Sequence, residues 1–205
     1  PLFRSRLLIL LDDSFATIVK AIEWGRGLYD NFRRFIKFQL TVNISAVMVV
    51  VCSILMGLKS PFTALQLLWL NIVMDGPPAL SLGLEPIHDN LMKRAPVGRN
   101  ENIVTKTMLA SIIRNGIIIS AICLLQQAIN FLHATNEQQG TIIFTLFVLF
   151  QIINALNCRK LNYESSLKYG FKNKKMFLSL LITFILQVII TQWGGVVFNT
   201  VPLEW

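Results

Sequence analysis

Charge is what this sequence has least of. Charged residues make up 15% of its 205 positions and hydrophobic ones 54%, whereas soluble domains carry roughly 25% charge. That balance argues against a soluble globular chain. Cysteine is scarce as well. Cys52, Cys123 and Cys158 are odd in number and lie in or at the edge of apolar runs. Without a C-x-x-C spacing there is no case for a zinc site or a disulfide framework, so they read as packing residues. The two histidines, His88 and His133, stand alone in polar stretches and read as solvent-facing. No cleavable signal peptide is evident: Arg4 and Arg6 precede a short apolar run, but Asp12 and Asp13 end it with no small-residue cleavage site. Internal repeats and low-complexity segments are missing too.

What the chain does have is long apolar runs. Five can be drawn at the length of about 20 residues that a bilayer needs: about 35–58, 61–84, 107–132, 140–158 and 176–194. The expected fold is an all-α membrane protein, a bundle of about five transmembrane helices. The net charge of +8 looks at first like an attraction for nucleic acid, but no reading motif accompanies it. Its distribution explains it instead. With the N-terminus placed in the cytoplasm, only Lys59 of the 19 Lys and Arg falls outside. Lys93, Arg94, Arg99, Lys106, Arg159, Lys160, Lys168, Lys172, Lys174 and Lys175 fall in two inside loops, which is the positive-inside pattern. The lipid bilayer is the expected partner, and nucleic acid is not.

The second run holds the most informative residue. Asp75 interrupts it within Asn71-Ile72-Val73-Met74-Asp75-Gly76-Pro77-Pro78. An ionisable group at that depth costs roughly 2.5–3.5 kcal/mol on insertion scales, so membrane helices seldom keep one without a use. Asn71 and Asp75 are four apart and share a helix face. Pro77 and Pro78 lack an N–H, which leaves the carbonyls of Val73 and Met74 without their usual helical partners. The span is therefore expected to break at Gly-Pro-Pro, with side-chain and backbone oxygens converging in one turn. That is chemistry for a hard cation. Asn43, near the middle of the first span, is a further amide oxygen; by itself it fits either a ligand or a bridge between packed helices. Gln151 reads as an interhelical hydrogen bonder, and Asn154 and Asn157 as a helix-end cap.

Ahead of the first span, residues 12–34 read as an amphipathic helix running into the membrane. Phe15, Ile18, Val19 and Ile22 keep helical spacing, and Asp13 or Ser14 is available as a cap. Arg33, Arg34 and Lys37 mark the boundary. An odd number of spans, and a start inside what reads as the tail of a soluble domain, point to a piece of something larger.

Several segments together carry a resemblance: DDSFATIVKAIEWGR over 12–26, Gln66-Leu67-Leu68-Trp69-Leu70-Asn71 running on to Asp75-Gly76, Leu84-Glu85-Pro86, Ala95-Pro96-Val97-Gly98-Arg99-Asn100, the stretch from Phe150 to Asn157, and Gln192-Trp193-Gly194-Gly195 followed by Phe198. From about Leu11 to Trp205 the chain resembles the C-terminal membrane region of P-type calcium-transporting ATPases, above all the plasma-membrane type. Residues 1–10 depart from the pattern. The resemblance implies that residues 1–34 hold the end of a phosphorylation domain and a stalk. It also implies that 35–205 is a cation-transporting membrane domain equivalent to helices five to nine of ten. Asn43, Asn71 and Asp75 fall on the family's metal-ligand positions, with calcium as the transported ion and further oxygens from a fourth helix. The D-K-T-G-T phosphorylation motif and the G-D-G-x-N-D hinge motif do not occur here, so ATP and magnesium belong to the remainder of the pump. No catalytic residue is expected in this chain.

Ala46, Met74 and Gln151 stand where two-site pumps of the sarcoplasmic-reticulum type carry Glu, Thr and Glu. The resemblance therefore implies one calcium per cycle. Gly76-Pro77-Pro78 is itself similar to the secretory-pathway calcium/manganese type, which keeps manganese as a second ion. The competing expectation is a non-enzymatic multi-pass fragment or subunit that packs against other helices.

Overall fold

Continuous apolar and helix-forming sequence from Phe15 to Leu55 produces one helix of 41 residues, α1, which at 1.5 Å per residue spans about 60 Å. In the computed structural model, residues 15–74, 76–86, 91–93, 95–98, 101–159 and 173–203 are described. Asp75, Asp13, Ser14, residues 1–10, His88, Arg94, Arg99, Asn100, Lys160, Lys168 and Lys172 lie outside the described residues. After α1 come α2 (Ala64–Trp69), a π turn (Leu70–Met74), α3 (Gly76–Gly83), a 3-10 turn (Leu91–Lys93), α4 (Lys106–Ile129), α5 (Gln139–Cys158), α6 (Lys174–Trp193) and α7 (Gly195–Phe198). The described residues are mostly helical with no strand among them, an all-α membrane bundle.

Four helices, α1, α4, α5 and α6, are long and apolar enough to cross a membrane. The fifth expected span is divided among α2, the π turn and α3, none of which reaches that length alone. Its first piece starts on a capping box: Thr63 Oγ1 accepts from the Gln66 N–H at 3.3 Å, and Gln66 Oε1 accepts from the Thr63 N–H at 2.9 Å. Pro77 and Pro78 sit in the first turn of α3, where a missing N–H leaves no helical bond unmade. The prolines thus restart the span, and the irregular backbone lies just before them. α4 begins on Thr105, whose hydroxyl accepts from the Met108 N–H, and ends on Asn130 in the left-handed region (φ 52°).

α1 is the axis of the bundle and packs against α3, α4 and α5. Phe38, Val42, Val49, Leu82, Phe144 and Phe147 form the apolar centre. Lipid is as apolar as these side chains, so close packing and interhelical hydrogen bonds hold such a bundle, not hydrophobic burial. Gly116 shows the first device: a methyl there would come within 3.2 Å of Ile44 Cγ2, and its absence brings α4 close to α1. The second is a polar stripe on α1, where Thr41, Ser45 and Ser53 are wholly buried. Early in α1 the burial runs against the apolar pattern. Gly27, Asp30, Asn31 and Arg34 face inward, while Phe15 and Ile22 are exposed, at 76% and 45%.

At the far end the chain turns back through Gly194. A side chain on that glycine would meet Ile190 O at 2.3 Å, and Gly195 follows at φ +46°. The turn lets Thr200 donate to Ile190 O and brings Phe198 over Trp69, with ring centroids 5.5 Å apart. Gln66, Trp69 and Phe198, spread across the sequence, thereby meet: Gln66 Nε2 donates to Phe198 O at 2.9 Å.

Candidate functional site

The π turn places irregular backbone in the middle of an apolar span, and π turns concentrate at functional positions. Asn71 lies within that turn and is exposed, beside Leu68 and Ile72, which are 52% and 61% exposed. Asp75, the residue between the π turn and α3, is outside the described residues, as are the side chains of Val73 and Met74. Asn43 is also exposed. It heads a row at four-residue spacing on α1 with Val47 and Val51, which are 61% and 47% exposed. Among the described residues no hydrogen bond joins Asn43 to Asn71. Nor do the described residues hold any group of three His, Cys, Asp or Glu side chains able to bind a metal. A cation held here would rest on neutral oxygens together with residues outside the described set.

Gln151 takes a different role. It is 2% exposed; its Nε2 donates to Ser45 Oγ on α1 at 3.2 Å, and its Oε1 accepts from Asn154 Nδ2 at 3.2 Å. Asn154 Oδ1 in turn accepts from Cys158 Sγ at 3.6 Å. The expectation that Asn154 caps a helix end is thereby corrected. It is 2% exposed and extends a polar chain inside the bundle, because its i−3 and i+4 neighbours on α5 offer the partners. Asn157 is exposed. Ser120 Oγ on α4 joins the same chain through Ser45 O at 3.2 Å.

The densest polar cluster sits where α1, α3, α5 and α6 meet, at the end of the bundle rich in Lys and Arg. Glu85 is its centre, 5% exposed. Its Oε1 accepts from Arg159 Nε at 3.0 Å and is ion-paired with Arg159 Nη2; its Oε2 accepts from Asn173 Nδ2 at 2.7 Å. Asn173 also caps α6, its Oδ1 accepting from the Met176 N–H at 3.1 Å. Asn31 Nδ2 donates to the carbonyls of Gly83 (3.0 Å) and Glu85 (2.8 Å), while its Oδ1 accepts from Arg34 Nη1. Arg34 Nε donates to Arg159 O at 2.9 Å. Removing a carboxylate from water is unfavourable unless both oxygens are bound, and here both are.

In the sequence Glu85 stands out only within Leu84-Glu85-Pro86, and nothing there joins it to Asn31, Arg34, Arg159 and Asn173. A signal was present: an acid that ends an apolar run, directly ahead of Pro86, facing an Asn placed to cap the last span. Arg34 was read as a boundary marker, yet it is 6% exposed and faces its neighbours.

The family described as cation transporting ATPase, C-terminus, matches residues 59–205. Similar curated proteins include plasma membrane calcium-transporting ATPase 2 of Oreochromis mossambicus, 37% identical over 210 residues, covering 96% of this chain and 19% of that protein. Plasma membrane calcium-transporting ATPase 1 of Homo sapiens is 37% identical, over 96% of this chain and 17% of its own length. Calcium-transporting ATPase 8, plasma membrane-type, of Arabidopsis thaliana is 40% identical over 208 residues, 97% of this chain and 19% of its own. The chain thus spans less than a fifth of the length of these relatives.

Proposed function

This chain belongs to the cation transporting ATPase C-terminal family, and we propose that it forms the membrane part of an ATP-driven calcium pump in which Asn43, Asn71 and Asp75 hold the ion. The observation that carries this reading is the interruption of an apolar span by a π turn, Leu70–Met74, which Asp75 follows in the sequence, in a chain 37–40% identical to calcium-transporting ATPases. Broken backbone at membrane depth is tolerated where it is buried in protein or lines a polar cavity. Calcium takes six to eight oxygens at about 2.3–2.6 Å, more than these three side chains supply. The outward exposure of Asn43 and Asn71 suits a site completed by another helix, the fourth of the intact pump. ATP and magnesium act in its cytoplasmic domains, and α1 is the strut between them and the ion. In this reading residues 1–34 are the end of the phosphorylation domain and the stalk, and residues 35–205 the membrane domain. The N-terminus is cytoplasmic and the membrane is the plasma membrane; basic residues gathered at one end support the orientation.

One calcium moves per cycle in this reading. Gln151 has its amide donor and acceptor engaged with Ser45 and Asn154, and Ala46 adds no oxygen beside it. A second dication would lack the negative charge needed to offset its dehydration. Gly76-Pro77-Pro78 supports manganese as a second substrate, since manganese accepts oxygen ligands as well.

The test is Asp75→Asn in the intact pump. ATP-driven calcium uptake into vesicles should vanish with expression unchanged, and the unaltered pump should move one calcium per ATP. Normal uptake by the variant removes the site; a ratio of two removes the single-ion reading.

A further inference from the structure

Five buried hydroxyls on α1, α3 and α4 share one arrangement. Thr41, Ser45, Ser53, Ser81 and Ser120 each donate to the carbonyl four residues earlier, at 2.6–2.8 Å. On α6 that arrangement fails. Ser179 Oγ, Thr183 Oγ1 and Gln187 Oε1 are buried and have no hydrogen-bond partner among the described residues. Their residues are 9%, 1% and 1% exposed, and their spacing of four places all three on one face. Turning the Gln187 amide over does not remove the deficit. Its Nε2 lies 3.5 Å from Thr145 Oγ1 and 3.4 Å from Thr191 Oγ1, so exchanging the two atoms would leave Nε2 unpartnered instead.

We propose that this face of α6 binds a short file of water molecules inside the membrane bundle, one bridging Ser179 to Thr183 and one bridging Thr183 to Gln187. Four residues of helix rise about 6 Å, and two O–H···O bonds of about 2.8 Å laid end to end reach nearly the same length. Each water then has two protein partners, the least that a buried water keeps. Ser179, Thr183, Gln187, Thr145 and Thr191 are all neutral, which favours water over a cation. At its upper end the file joins the Thr145–Thr191 pair (3.2 Å) and Gln187. Its lower end is fixed by Asn173, whose Nδ2 lies 3.4 Å from Ser81 O. Six residues along α6 from that level, about 9 Å, is Ser179; five residues back along α3, about 7.5 Å, is Gly76. The file therefore runs from the depth of the broken span toward the far end, along α6, which packs on both α3 and α5. It stands whichever ion the pump moves.

The experiment uses the full-length protein that carries this chain. A density map fine enough to show ordered water should hold a peak within hydrogen-bond reach of both Ser179 Oγ and Thr183 Oγ1; hydroxyls turned back on to their own helix with no peak overturn the proposal. Thr183→Val deletes the shared anchor at nearly constant size. With the file present the melting temperature falls by about 2–4 °C. In a dry site the variant loses an unsatisfied buried hydroxyl, and an unchanged or higher melting temperature overturns the proposal. Melting of the unaltered protein in sodium, potassium and choline chloride should agree; a rise specific to one small cation replaces water with that ion.

Discussion

Two polar regions of this bundle handle the same low-dielectric surroundings in opposite ways. The Glu85 cluster concentrates charge, and each carboxylate oxygen accepts a hydrogen bond from a neighbouring element. The α6 face carries no charge and leaves three buried polar atoms without a partner among the described residues. A buried ion without partners loses several kcal/mol to desolvation, so charge persists only where pairing is complete. A neutral hydroxyl without a partner is far less unfavourable, about 1–3 kcal/mol, and a water can remove that deficit. The lesson concerns design as much as stability. Charge fixes where helices meet, and unpaired hydroxyls mark where solvent enters.

The largest expected effect comes from breaking the charged side of this contrast. Glu85→Ala leaves Arg159 at the junction of four helices without its carboxylate, and removing one partner of a buried pair costs about 3–5 kcal/mol. Thermal melting of the full-length protein in detergent should show it as the most damaging of these substitutions. Adding Arg159→Met to Glu85→Ala should recover part of the loss, because the buried charge that faced Glu85 goes with it. If Glu85→Ala melts like the unaltered protein, the cluster is no clamp and the contrast dissolves.

Asn173 divides the cluster into separable parts. Asn173→Ala removes a cap, about 1 kcal/mol, and a hydrogen bond to a charged group, about 1.5–3 kcal/mol. Asn173→Ser keeps the cap and loses the amide that reaches Glu85. The serine variant should therefore melt between the alanine variant and the unaltered protein. Equal melting of the two variants would assign the whole effect to the Glu85 contact.

Legibility in the sequence followed the same divide. The apolar runs, a break in the second of them and the exceptional position of Asp75 could be read because each depends on neighbours in sequence, although the irregular turn lies at Leu70–Met74 and Gly76-Pro77-Pro78, the expected break, opens a helix. The Glu85 cluster could not. Its partners lie 74, 88 and 54 positions apart, and Arg159 and Asn173 sat in a loop whose basic residues read as a topology signal. Asn154 was misread for a related reason: a polar residue near a helix end satisfies the pattern of a cap, and only the tertiary neighbours Gln151 and Cys158 reveal the polar chain. The α6 face was legible in principle. Ser179, Thr183, Gln187 and Thr191 recur at intervals of four, a polar stripe hidden in a run scored by its overall hydropathy. Asn43 and Asn71 were legible as candidates, yet their outward placement needed coordinates, because it depends on which faces the other helices cover.

The smallest expected effect sharpens the contrast most. Thr41 and Thr183 are both almost completely buried threonines in apolar helices, at 0% and 1% exposure. Thr41 Oγ1 donates to Lys37 O at 2.8 Å, a carbonyl that also serves the ordinary helical bond from the Thr41 N–H. Thr41→Val therefore orphans nothing: the carbonyl keeps its backbone partner, and the new methyl occupies the place of the hydroxyl. Back-bonding of this kind contributes little and tends to bend a helix slightly, so stability should change by about 0.5 kcal/mol or less. The identical substitution at Thr183 should lower the melting temperature clearly, although the atom removed there has no partner among the described residues to lose. A larger loss at Thr41 than at Thr183 would reverse the order and show that the visible hydrogen bonds, not water, account for the hydroxyls of this bundle.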